Sequence, residues 1–338
     1  MHQILSNLDN AGKPKYLGGF VVHSQAFDGL SGNFPIGFLV WDTSKKLMIK
    51  EVETEALNKT ADWVGEKHFY TLPSNTFLSE WFIRPRSNDI DALPLKNVLT
   101  PTTSTKDVRG TKWANGAIGS MLCKGNDLQN AGTQTALLSS GYCSAGRYFV
   151  TDKNLWQSAI IFSIRRLIKP TWLNDRDQFL QPTEPLKPSF KTDCLIWMMF
   201  NGSNLTASAN GLEWNDKQWS IVNHFIPFTE TEVNAPKRFE SDFMVQYLAD
   251  KSLSKEAQVL DAGREIWCAY FASNFERKIR DEYKLNRADV GWYQIRKALE
   301  MKCKNDGVEF DFSDFKTAYD ALSEKLRPQV FELGFLKS

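Results

Sequence analysis

The chain has 338 residues, of which 42% are hydrophobic and 24% charged, a composition typical of a globular protein with room for two or three domains. Lysine and arginine number 41 against 40 aspartates and glutamates, so the net charge of +1 excludes a whole-chain attraction to nucleic acid, and any DNA contact must be a local patch. The five cysteines form no C-x-x-C pair, and no apolar run approaches the length of a membrane span. We therefore expect reduced thiols, no metal site, no membrane partner and a cytoplasmic location.

The first elements are predicted to be strands. Residues 16–22 and 34–41 are short runs rich in β-branched and aromatic residues, separated by a turn-rich segment at 28–33. Both runs are almost continuously hydrophobic, which is typical of strands covered on both faces in the middle of an α/β sheet. Because two or three strands do not make a stable sheet alone, residues 1–55 are interpreted as the last part of a larger sheet.

The middle of the chain mixes helical and strand patterns with many prolines, so residues 56–240 are predicted to form a compact mixed α/β module. Within it, residues 154–168 have helical spacing and end at Pro170. Residues 194–200 are continuously apolar and are predicted to be a buried strand.

A β-hairpin is predicted over residues 212–222, with Asn215 and Asp216 near its turn. Three N-x-S/T sequons in the module are expected to be surface loops rather than glycan acceptors. They begin at Asn58, Asn201 and Asn204.

The last part of the chain, residues 241–338, is predicted to be a helical domain. A long helix is expected over residues 252–283, with shorter ones over residues 292–302 and 314–326, the last stopped by Pro328. The predicted fold class is therefore α+β.

Several common chemistries lack their motifs. The sequence contains no G-x-x-x-x-G-K-[ST] loop, no G-x-G-x-x-G and no G-x-S-x-G, and its four histidines are never spaced i,i+4. Phosphate-cradling enzymes, serine hydrolases and zinc hydrolases are disfavoured.

Four segments resemble adenine-specific DNA methyltransferases of restriction–modification systems, in the single-chain form whose target-recognition region follows the catalytic domain. The segments are LGGFVVHSQAFDGLSGNFPIGFLVWDTSKK, IGSMLCKGNDLQNAGTQTALLSSGYCSAGRYFVTDKNL, AIIFSIRRLIKPTWLNDRDQFLQP and NGLEWNDKQWSIVNHFIPF, in that order. The likeness covers about residues 20–240. It implies that residues 1–55 are remnant strands of a methyltransferase-like catalytic sheet and residues 56–240 a target-recognition module.

The chain departs from this family at the catalytic motifs. Such enzymes bind S-adenosylmethionine through a glycine-rich loop and hold the target adenine with an Asn-Pro-Pro-Tyr type motif, and neither occurs here. The resemblance therefore implies the DNA-recognition part of an adenine-N6 methyltransferase, inactive alone and without catalytic residues. S-adenosylmethionine would be a cofactor of the complete enzyme, not of this chain alone. The resemblance further implies that the chain is a split subunit, the product of a truncated gene or a fragment.

The implied partners are double-stranded DNA and, for a split subunit, a separate catalytic half. The alternative is a non-enzymatic protein-interaction or regulatory relative of such a methyltransferase, which the near-neutral charge favours.

Phe34 lies where the family places an apolar or aromatic side chain against the flipped-out base, so it is a base-stacking candidate; otherwise it begins a buried strand. A second group is positioned to grip phosphates at the end of the predicted helix and in the loop beyond, although basic residues there also complement the helix dipole. This group consists of Arg165, Arg166, Lys169 and Arg176.

Two further basic segments are DNA-binding candidates, since arginine can read guanine bidentately and lysine can pair with phosphate. Salt bridging and a solvated loop are the alternatives. The residues are Arg84, Arg86, Lys106, Arg109 and Lys112.

A cluster of amides could pair with adenine or could equally cap helices and close turns. These base-reading candidates are Asn126, Gln129, Asn130 and Gln134.

Overall fold

The computed structural model describes residues 12–32, 34–85, 92–94, 112–114, 117–123, 135–139, 147–169, 171, 173, 179–273, 291–305, 307 and 309–337. These form a mixed α+β fold with several small sheets, which confirms the predicted class. The strands are β1 (Pro14–His23), β2 (Pro35–Lys46), β3 (Glu51–Leu57), β4 (Trp63–Tyr70), β5 (Ala92–Pro94), β6 (Lys112–Ala114), β7 (Gly119–Cys123), β8 (Thr135–Leu138), β9 (Arg147–Val150), β10 (Ala209–Trp214) and β11 (Lys217–Ile221). The helices are α1 (Leu155–Leu167), α2 (Pro188–Met199), α3 (Phe243–Leu248), α4 (Lys255–Ala272), α5 (Trp292–Asn305) and α6 (Ser313–Glu332).

The first sheet has the strand order β2-β1-β3-β4, so β2 and β4 are its edges. β1 pairs antiparallel with β2 and parallel with β3, and β3 pairs antiparallel with β4. One face buries a small apolar core of Val21, Ile49, Val52, Ala56 and Phe69. The sheet runs to the end of β4, beyond the predicted boundary at residue 55.

The prediction that both early strands are covered on both faces is wrong for β2. Phe38 and Val40 are 46% and 58% exposed on this edge strand. A continuous apolar run shows only that both faces of a strand are hydrophobic, and it does not show that another layer covers each face.

The second sheet, in the order β8-β7-β9, is antiparallel and leads into α1. The predicted helix over residues 154–168 is confirmed by α1, most of which is buried. Asn154 precedes it, and the Asn154 side chain accepts a hydrogen bond from the Thr151 N–H at 2.8 Å and donates to the carbonyl of Phe149 at 3.1 Å. These bonds fix the passage from β9 into α1.

The predicted strand over residues 194–200 is wrong, because this segment is the end of α2. A helix buried on all sides is apolar on all sides, so its sequence has the same continuous hydrophobicity as a buried strand. Pro188 at the first helical position was the signal for a helix start, since proline lacks only an N–H that would have no intrahelical partner there.

The predicted hairpin is confirmed by β10 and β11, which pair antiparallel from Trp214 and Lys217 outward. Asn215 and Asp216 between them have φ of 51° and 58°. Positive φ at both central residues is the signature of a type I′ turn, which matches the twist of the flanking strands.

The described part of residues 241–338 is helical, as predicted, but the ends of its helices differ from the predicted ones. The first long helix is α4, and residues 274–283 of the predicted span lie outside the described residues. Pro328 does not stop α6, which continues to Glu332. Leu326 and Val330, on either side of the proline, are fully buried, and their burial offsets the loss of one helical hydrogen bond.

A main core joins the second sheet to the helices. In sequence its members run from Leu78, which follows β4, to Leu336 at the end of the described chain. Its centre is aromatic: Phe200 lies 5.7 Å from both Trp267 and Trp292 between ring centroids. The core therefore draws on both residues 56–240 and residues 241–338.

Candidate nucleic-acid interface

The last turn of α1 presents Arg165 and Arg166 against the start of β8. Arg165 Nε donates to the Thr135 hydroxyl at 3.3 Å, and Arg166 Nη1 donates to the Thr135 carbonyl at 3.3 Å. Thr135 is fully buried. Both arginines are half-buried, so they anchor β8 and also reach the surface.

Arg84 is linked to the same region by two aromatic rings that contact each other, Phe82 and Tyr148. Its guanidinium is 6.0 Å from the centre of the Phe82 ring, which meets the Tyr148 ring edge-on at 5.1 Å between centroids. Burial raises the pKa of the Tyr148 hydroxyl, and the positive charges of Arg165 and Arg84 act in the opposite direction. Two DNA-binding candidates that are far apart in sequence, Arg84 and Arg165, thus both lie close enough to one buried phenol for their charges to act on it.

Lys169 follows α1 by two residues and is exposed. Arg84, Arg165, Arg166 and Lys169 are called the basic cluster below.

Arg147, at the start of β9, is a half-buried basic residue that was not among the candidates predicted from the sequence. Burial lowers the pKa of its guanidinium. Only its position beside Leu122 in the sheet relates it to this region.

Phe34 is held at the entrance to β2 by its backbone. Its N–H donates to the Ser24 hydroxyl at 3.2 Å, and its carbonyl accepts from the Ser24 N–H at 2.9 Å. The ring lies against Gly32, where a Cβ would fall 2.4 Å from it, so any larger residue at position 32 would displace the Phe34 ring. Phe34 is half-buried, and these contacts of Phe34 are with Ser24 and Gly32, not with the basic cluster.

The outer face of the first sheet carries an aromatic group whose exposure the hydrophobic runs of the sequence did not predict. The ring centroids of Phe20 and Phe38 are 4.9 Å apart, and those of Phe27 and Phe38 are 6.2 Å apart. Phe20, Phe27, Phe38 and Val40 are called the outer apolar patch.

The same outer face is acidic toward the other edge of the sheet, on β3 and β4. Glu53 and His68 are cross-strand partners, as are Glu55 and Glu66. His68 Nδ1 is 2.6 Å from a carboxylate oxygen of Glu51. Because clustered carboxylates repel phosphate, the β3–β4 edge of this face disfavours DNA.

Glu53, Glu66 and His68 are the group in the described residues that could offer ligands to a metal, with ligand atoms within 4.8 Å of one another. Both carboxylates are exposed to water, so a solvated acidic surface accounts for the group equally well.

Several predicted site residues lie outside the described residues, and of Lys112 only the backbone, in β6, is described. The others are Arg86, Lys106, Arg109, Asn126, Gln129, Asn130, Gln134 and Arg176.

The parallel strands β1 and β3 of the first sheet do not fit S-adenosylmethionine. Such a cofactor needs a glycine-rich turn from a strand into a helix N-terminus. Here β1 leads into the 3₁₀ turn Ser24–Ala26 and then β2, while β3 leads by a short turn into β4. Neither strand of the parallel pair in this sheet is followed by an α-helix.

Comparison with known protein families, curated proteins and solved structures finds no match to this chain. In the described part of the chain, no helix combines the length and apolar character needed to cross a bilayer.

Proposed function

We propose that this chain is the DNA-recognition part of a site-specific adenine-N6 DNA methyltransferase of a restriction–modification system. Its remnant sheet, on this proposal, is the end of a methyltransferase-like catalytic sheet, and a separate part supplies S-adenosylmethionine chemistry. The four sequence segments that resemble this family support the proposal.

The observation that carries the DNA-binding role is the convergence of Arg84 and Arg165 at Tyr148, with Lys169 close by in the chain. Partly exposed guanidinium and ammonium groups from separate segments can contact neighbouring phosphates. A local basic cluster is also what a chain of net charge +1 requires for binding DNA.

The test is fluorescence anisotropy with a mixed pool of short duplexes across a salt series, with and without S-adenosylmethionine. We expect affinity to fall steeply with salt. Lys169→Gln should weaken binding and reduce the slope of log K against log salt by about 0.9, the value of one phosphate contact. No binding at low salt would contradict the proposal.

The matched control is Lys153→Gln, because Lys153 is an exposed lysine just before the opposite end of α1. It should leave affinity and salt slope unchanged. Lys169 is a better probe than Arg165 and Arg166, because replacing the arginines would also remove the bonds that anchor Thr135.

A second candidate function, non-enzymatic protein interaction, is favoured by the outer apolar patch on the edge strand β2. If it holds, the chain should not bind duplex DNA, and Phe38→Ser should abolish co-elution with an adenine methyltransferase catalytic domain that the chain regulates. Ile83→Ser should not, although Ile83 is 76% exposed. Co-elution that is absent in the unmodified protein would remove this candidate.

A further inference from the structure

Two buried carboxyl groups and one lysine meet where three helices pack together. Asp193 on α2 and Glu256 at the start of α4 are 1% and 0% exposed, and Lys325 comes from α6. Lys325 Nζ is 2.5 Å from Asp193 Oδ2 and 3.9 Å from Glu256 Oε2. The two carboxyl groups thus share one cation.

Hydrogen bonds do not fully satisfy this group. Ser254 donates its hydroxyl to Glu256 Oε2 at 3.0 Å. Asp193 Oδ1 and Glu256 Oε1 are buried, and neither accepts a hydrogen bond from a donor in the described residues. Burying an uncompensated negative charge is costly, whereas one proton held between the carboxyls leaves a single negative charge opposite Lys325.

We propose that Asp193, Glu256 and Lys325 form a pH-responsive latch, which holds the start of α4 against α2 and α6 most tightly while the two carboxyls share one proton. The latch loosens as that proton is lost.

The titration of the pair agrees with this arrangement. Burial, together with the hydrogen bond to Glu256, raises the pKa of Asp193 to about 7. Burial acts to raise the pKa of Glu256 as well, but hydrogen bonds from Asp193 and Ser254 outweigh it and hold that pKa below its usual value. The shared proton is therefore carried by Asp193.

The other surroundings do not change this assignment. α1 packs on α2 and places the Ser163 hydroxyl on the carbonyl of Cys194, and burial raises the pKa of the Cys194 thiol and keeps it neutral. In the described residues, the charged groups that act on Asp193 are Glu256 and Lys325.

The direction of the pH effect follows from linkage. The folded-state pKa of Asp193 lies above its ordinary value of 3.8, so its contribution is complete below about pH 4 and is lost as pH rises to about 7. Glu256 acts oppositely, below about pH 4.5. Between about pH 4.5 and 7, the equilibrium constant for local opening of the start of α4 should rise about tenfold per pH unit. It should level off above about pH 7.

The test is hydrogen–deuterium exchange of the full chain from pH 5 to 8, corrected for the intrinsic exchange rate, in peptides that cover residues 253–262. Asp193→Asn should make opening independent of pH, because an amide mimics the protonated carboxyl by donating to Glu256 and accepting from Lys325. Glu265→Gln, an exposed carboxylate on α4, is the control and should retain the unmodified pH dependence.

A flat profile in the unmodified protein, or a preserved slope in Asp193→Asn, would overturn the latch. If Asp193→Asn does not fold, ¹³C NMR of aspartate carboxyl carbons in the unmodified protein decides the matter. A resonance assigned to Asp193 that titrates near pH 7 supports the proposal, and one that titrates near pH 4 contradicts it.

Discussion

Asn204 follows α2 and is 1% exposed. Its Nδ2 donates to the Met199 carbonyl at 2.7 Å, and its Oδ1 accepts from the N–H and the hydroxyl of Thr206 at 3.2 and 2.8 Å. The side chain thus closes the turn that leads out of α2 and satisfies backbone groups that water cannot reach.

Replacing Asn204 by alanine should therefore lower the free energy of unfolding by about 2–4 kcal/mol, since buried backbone groups lose their partners. Asn58→Ala is the matched control: Asn58 also begins a sequon and bonds Thr60 and Asp62, but at the surface. Its loss should be about 0.5–1.5 kcal/mol, because water replaces the bonds. Chemical denaturation measures both, and equal losses would contradict the role of burial.

The expectation that Asn201 and Asn204 lie in surface loops was wrong, and the reason is physical. Both are buried, and Asn201 Nδ2 donates to the hydroxyl of Tyr319 at 2.8 Å. A sequon shows that asparagine and threonine or serine are two residues apart, which fits an exposed acceptor and a buried turn equally well. The distinction depends on α6, more than a hundred residues away in the chain.

Local signals of secondary structure predicted elements best where a turn or a helical spacing defined them. The hairpin β10–β11 was predicted because its turn residues are characteristic, and α1 because its spacing is helical. For α2, hydrophobicity predicted burial correctly and the type of element wrongly, since the other helices that cover α2 are not visible in its own sequence.

The hairpin turn offers a prediction about an element. Asp216 has φ of 58°, a conformation that glycine adopts without the steric cost of a Cβ. Asp216→Gly should raise the free energy of unfolding by about 0.5–1 kcal/mol, whereas Asp216→Ala should not raise it. Thermal and denaturant unfolding measure the difference, and equal effects of the two variants would argue against a type I′ turn.

The basic cluster could be predicted only in part, because its parts are separate in the chain. The sequence indicated Arg84 and Arg165 as separate candidates, and only the fold places them both at Tyr148. It did not predict that Arg165 and Arg166 also hold β8, since their partner Thr135 belongs to another element. The exposure of the outer apolar patch was missed for a similar reason: it depends on which layers cover the sheet.

At the scale of the whole molecule, the chain forms two separate apolar cores of very different size. The first sheet has five residues in its own buried cluster, whereas the main core joins the second sheet, α2, α4 and α6. Lys337 near the chain end lies 3.6 Å from the centre of the Tyr70 ring, a contact between the first sheet and the rest. Local stability follows buried apolar contacts, so the first sheet should open before the main core.

We therefore expect native-state hydrogen exchange in increasing denaturant to show two groups of amides. Those of α2 and α6 should share one opening free energy, because Trp197 on α2 bonds the Ser323 hydroxyl on α6 at 2.8 Å and stacks on Tyr319. Those of β1 and β3 should open at a free energy at least roughly 2 kcal/mol lower. If α6 instead opened well before α2, the helical region from residue 241 would be a domain of its own, as the sequence suggests, and the shared core would contribute little to joining it to the preceding module.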